Sequence, residues 1–66
     1  MTIATVIRLK DDAVLVFDGR GEQLPEYQGQ YRQVKRRIRE DAPTEAVFMH
    51  WFERNQVPRI VPREGW

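Results

Sequence analysis

The segment Tyr27–Asp41, YQGQYRQVKRRIRED, restricts this chain more than any other. Tyr27, Tyr31, Val34 and Ile38 recur at spacings of four, three and four, which stacks them on one face of a helix. Arg32, Lys35, Arg36 and Arg39 gather on the far side, within an arc of roughly 100°. The pattern predicts a short amphipathic helix with one face to bury and one cationic face to show. Proline suits the first turn of a helix, so the helix can start near Pro25. It can also start after Gly29, because glycine costs about 1 kcal/mol relative to alanine inside a helix. Tyr27 fits the apolar stripe and favours the earlier start. Asp41-Ala42-Pro43 ends the helix, since proline disfavours helical geometry in the residue before it. Glu40 and Asp41 then sit at the negative end of the helix dipole, a local conflict.

The flanking segments read as strands. Ile3–Lys10 is rich in β-branched residues and Ala13–Phe17 is a short apolar run. Asp11-Asp12 between them suits a turn but lacks the glycine that would secure it. Asp18-Gly19-Arg20-Gly21 is a strong turn signal. Glu22–Leu24 can pair briefly with the second strand before Pro25 stops it. Thr44–Glu53 reads as the third main strand. Val57–Val61 is a possible fourth, held to an edge by Pro58 and Pro62 or drawn out as an extended arm over 57–66. The expected fold is a single α+β domain over 1–66 in ββαββ order. A small antiparallel sheet of three to four strands would carry one helix on one face.

The third strand adds a complication. Thr44, Ala46, Phe48, His50 and Phe52 alternate with Glu45, Val47, Met49, Trp51 and Glu53, and both sets contain large apolar groups. Leu15 and Phe17 against Val14 and Val16 repeat the pattern in the second strand. A sheet that is apolar on both faces is normally sandwiched between two layers. One helix covers only one face, so the other should present an apolar patch.

Size sharpens the point. Sixty-six residues bury only about 60% of their unfolded surface. The chain has no cysteine, which removes disulfides and thiolate metal sites. Its apolar fraction of 41% is that of a globular protein. Charge is uneven: three Lys or Arg face five acids over residues 1–29, and eight face five over 30–66. The net charge of +1 is too small for a strong polyanion binder. No secretory leader or membrane-spanning run is visible, and a soluble, cytoplasmic protein is expected.

No motif for catalysis, metal or nucleotide stands out. His50 is the lone histidine and the chain has no serine, so a hydrolytic constellation has no parts. Asp18–Gly21 lacks the following helix and longer pattern of a phosphate loop. Asp11, Asp12 and Asp18 fail the spacing of a calcium loop. His50-Trp51-Phe52 with Arg54 resembles a base-stacking set, but its aromatics alternate between faces and suit packing better. The sequence therefore supports a small non-catalytic protein-interaction or self-associating module with no cofactor. Its candidate surface is Arg32, Lys35, Arg36, Arg39, Met49, Trp51 and Trp66. Expected partners are a second copy or another protein. The alternative is a nucleic-acid-binding accessory protein that uses the basic helix face.

Overall fold

The computed structural model describes residues 2–66. Ile3–Leu9 forms β1 and Ala13–Asp18 forms β2, paired antiparallel. The turn between them has no glycine, and Asp12 takes the left-handed conformation with φ 66°. Short polar side chains tolerate that region. Two bonds fix it: Asp12 N–H donates to the Leu9 carbonyl at 2.9 Å, and Arg8 Nε donates to Asp12 Oδ1 at 2.9 Å.

The second turn is built on the buried Asp18. Its Oδ1 accepts the N–H groups of Arg20 at 2.8 Å and Glu22 at 3.0 Å, while Gly21 supplies a φ of 84°. The returning chain touches β2 through a Phe17–Gln23 bridge and through Leu24 N–H to the Val16 carbonyl at 2.9 Å. Pro25–Tyr27 then makes one 3-10 turn, and Gly29–Gln30 forms β3 against β2.

Helix α1 spans Tyr31–Asp41. It starts later than the Tyr27 stripe suggests, because Gln28 and Gln30 are extended and Gly29 has φ 150°. Tyr27 still packs on the core, from its own turn. The first helical N–H, that of Tyr31, donates to the Asp12 carbonyl at 2.8 Å, so the helix start is pinned to the β1–β2 turn.

Val47–Trp51 forms β4 and Arg59–Val61 forms β5, giving the order β3-β2-β1-β4-β5. The architecture is α+β with one α-helix, but three expectations are corrected. The strands and helix follow the order βββαββ rather than ββαββ, because Gly29–Gln30 adds a strand before α1. The sheet has five strands, not three to four. It is also mixed, because β4 lies parallel to β1. Chain direction explains this. β3 runs back along β2 and ends beside the first turn, where α1 begins. The helix then carries the chain to the opposite end of the sheet. A strand that starts there must run the same way as β1, as crossover helices generally require.

The core lies between the sheet and α1: Ile3, Val6, Val14, Val16, Leu24, Ile38, Ala42, Phe48 and Trp66. Ile38, from the apolar stripe, is fully buried, and Val34 packs beside it. Beyond β5, Arg63–Gly65 makes a 3-10 turn that delivers Trp66 into the core. Its ring meets Tyr31 and Phe48 edge-on, at centroid separations of 5.1 and 5.2 Å. Arg63 closes the far end of the helix. Its Nη1 donates to the carbonyls of Arg39 at 3.2 Å and Ala42 at 3.0 Å, and its Nη2 donates to that of Pro43. A cation here satisfies terminal carbonyls and complements the helix dipole. The two acids at this end also have donors: Tyr27 Oη reaches Asp41 Oδ2 at 2.6 Å, and Arg36 Nε reaches Glu40 Oε2 at 3.4 Å.

Candidate interaction surface

Strand register sorts the sheet into two faces. Val6 pairs with Val16 and Phe48, and Arg8 with Val14 and His50; these residues lie under the helix. Thr5 pairs with Phe17 and Val47, Ile7 with Leu15 and Met49, and Leu9 with Trp51. Ile60 extends that second set from Met49. None of the residues in the second set is charged. They are half-buried by their in-plane neighbours, except Ile60, which is 69% exposed. None belongs to the core or packs against it.

The β4–β5 loop meets the uncovered face only at its rim, where the Gln56 carbonyl accepts from Trp51. Leu24, Tyr27 and Trp66 all join the core on the helix side. The 57–66 segment therefore does not roof the second face. It contributes β5 to the sheet edge and returns Trp66 beneath the helix. The uncovered face spans β2, β1, β4 and β5.

The cationic arc of α1 does not form a uniform surface. Arg32 and Arg36 point into solvent. Lys35 Nζ lies 5.4 Å from the Tyr31 ring centre, and Arg39 donates from Nη2 to Tyr31 Oη at 3.1 Å. Arg37, outside the predicted arc, lies over Tyr27 at 5.0 Å. Cations placed over aromatic faces are held by the ring quadrupole. Three of the helix's cations are thus engaged with Tyr31 or Tyr27, and the predicted four-residue face is split.

Of the predicted aromatic patch, Met49 and Trp51 sit together on the uncovered face. Trp66 does not join them and is only 1% exposed. Its oxygen accepts from Arg8 Nη1 at 2.8 Å and lies 3.1 Å from His50 Nε2, while Arg8 stacks on Tyr31 at 3.6 Å. The residues of this face that the sequence-based candidate surface left out are Ile7, Leu9, Leu15, Phe17 and Ile60. Their alternation was visible, but which face of β1, β2 or β5 stayed uncovered depended on the strand order.

Trp51 is held in place by its own loop, with Nε1 donating to the Gln56 carbonyl at 2.8 Å. Hollows of about 660 and 790 Å³ open beside it and Phe52. Among the described residues, Tyr27 is a titratable group with a shifted pKa. Its hydrogen bond to Asp41 raises its pKa above the usual tyrosine value, with desolvation and the Asp41 charge adding to the effect. Among the described residues, no cluster of three His, Asp or Glu is placed to hold a metal. No described helix is long and apolar enough to cross a membrane. Comparison with protein-family models, with curated proteins and with solved structures finds no match.

Proposed function

We propose that this chain is a non-catalytic interaction module that pairs with a second copy of itself through the uncovered sheet face. The observation that carries this reading is the charge-free set Ile7, Leu9, Leu15, Phe17, Met49, Trp51 and Ile60, registered across four strands. Soluble domains seldom leave so continuous an apolar face against water. A charged partner surface would lose its hydration there without gaining a counter-charge. A second copy offers the same uncharged face, of the same extent, at the same concentration.

Size supports the same occupant. The broad 30 × 23 Å aspect of the body is of the same order as the ~800 Å² that each partner buries in a standard interface. Two such faces would pack about 10 Å apart as a two-sheet sandwich with a helix on each outer side.

Sedimentation equilibrium from low micromolar to millimolar concentration tests the reading. A monomer–dimer equilibrium that Met49→Lys shifts toward monomer is the expected result. A strict monomer across the whole range would sink it.

A further inference from the structure

We propose that the fold builds an anion site on the flank of α1, where Lys35, Arg39 and the Tyr31 hydroxyl hold a single phosphate group beside Arg8. This binding function is separate from the sheet face and does not depend on self-association.

Placement is the first argument. Tyr31, Lys35 and Arg39 follow one another at intervals of four, so they share one ridge of the helix. Arg8 reaches the same ridge from β1, with its guanidinium 3.6 Å from the Tyr31 ring centre. Lys35 Nζ lies 5.4 Å from that centre, and Arg39 Nη2 is 3.1 Å from Tyr31 Oη. Three cations from two elements thus surround one ring. Lys35 and Arg39 stand at a spacing where like charges repel, so an anion between them is favoured.

Charge balance is the second. Arg8 has its counter-charge in Asp12, 2.9 Å from Nε, and also donates to the Trp66 oxygen at 2.8 Å. Elsewhere on α1, Arg36 pairs with Glu40. Among the described residues, no acid lies within ion-pair distance of Lys35 or Arg39. The Arg39 guanidinium is also short of acceptors: Nη2 bonds Tyr31 Oη, while Nε is buried with no partner. Tyr31 Oη accepts from Arg39 and keeps its own hydrogen to donate. All three side chains belong to half-buried residues, so salt screens them less than Arg32 and Arg36 in open solvent.

These donors select the ligand. An ammonium, a guanidinium and a hydroxyl set around a ring match the oxygens of a tetrahedral dianion better than the flat pair of a carboxylate. They also form one cluster and not a row. Arg37 lies over Tyr27 instead, and Arg63 spends its head on the carbonyls at the helix end. A nucleic-acid backbone is held by cations repeated along its track, whereas a lone phosphate monoester needs one such cluster.

A titration of the full chain with sodium phosphate, against sodium chloride at equal ionic strength and constant pH, tests the site through amide and arginine Nε–H NMR signals. Those of Tyr31, Lys35 and Arg39 should shift and saturate, with a dissociation constant on the order of millimolar. Lys35→Gln and Arg39→Gln should each weaken binding at least about fivefold, and Lys35→Arg, which keeps the charge, should retain it. Arg32→Gln combined with Arg36→Gln removes more charge from the same helix and should weaken binding less than about twofold. The amide spectrum shows that each variant stays folded. Signals that never saturate in the unsubstituted chain overturn the site. So does an equal loss in the Arg32 and Arg36 double variant, which reduces the effect to diffuse attraction. A single-stranded oligonucleotide that binds with a salt slope of several phosphates replaces the single-phosphate site with a nucleic-acid track.

Discussion

The two faces of this sheet are made from nearly the same residues and meet opposite fates. Val6, Val14, Val16 and Phe48 disappear under α1 and Trp66, whereas Ile7, Leu15, Phe17 and Met49, one position along each strand, stay at the surface. Side-chain chemistry does not separate the two sets. Supply of cover does. An 11-residue helix is about 16 Å long and roofs one side of a sheet this wide. The irregular segments that carry Leu24, Tyr27 and Trp66 were spent on the same side. Apolar alternation therefore reports what a strand is able to bury, and the topology decides what it does bury.

Substitutions can break or sharpen that contrast. The largest effect is expected at Ile38, the centre of the covered side, where Ile38→Ala should cost about 2–5 kcal/mol by urea denaturation. Met49→Ala, on the open face, should cost well under half of that when measured at concentrations where the chain is monomeric. Equal losses at the two positions would erase the distinction between the faces. Next comes Arg63→Met, which removes charged hydrogen bonds to three carbonyls and should cost about 1.5–3 kcal/mol. Arg63→Lys should recover only part, since an ammonium lacks the fork that reaches several carbonyls.

Smaller effects come from groups that belong to neither face. Arg32→Glu combined with Arg36→Glu should leave dimer dissociation unchanged within about twofold, as solvent-exposed charges far from the contact. A large loss there would move the contact to the helix. The least effect is a pH response. Tyr27 is held neutral by its bond to Asp41, so its folded pKa lies above its unfolded value. The stabilisation is complete below the unfolded tyrosine pKa and is lost as pH rises through the raised one. Tyr27→Phe should flatten that alkaline decline, followed by thermal unfolding on either side of the tyrosine range.

Local features were the legible part of the sequence. The stripe through Tyr31, Val34 and Ile38, the halt at Pro43 and the Asp18–Gly21 turn each depend on neighbours in the chain, and each is present. The parallel seating of β4 was not legible. It follows from a chain reversal through the two-residue strand Gly29–Gln30, too short to leave a periodic signal. Asp12 at positive φ was masked because glycine usually does that task. Trp66 was assigned to the surface and Arg63 was missed for another reason. Their partners, Tyr31, Phe48 and the end of α1, are distant in sequence, and single long-range contacts have no spacing to read. The same blindness split the basic face: tyrosines counted as core also attract the cations beside them.

The pairing of β1 with β4 has a consequence for how the chain acquires its shape. Thr5 meets Val47, and Leu9 meets Trp51, across most of the molecule's length. The central strand is made early, and one of its long edges stays bare until residues 47–51 exist. Through that interval the hairpin and helix can form from local contacts, but the unpaired edge of β1 remains a template for any matching strand. The strand that matches best is β4, and a neighbouring chain carries one too. At high concentration, refolding therefore invites an exchange of β4 between chains, and slow dilution into native buffer should yield more monomeric fold than concentrated refolding does.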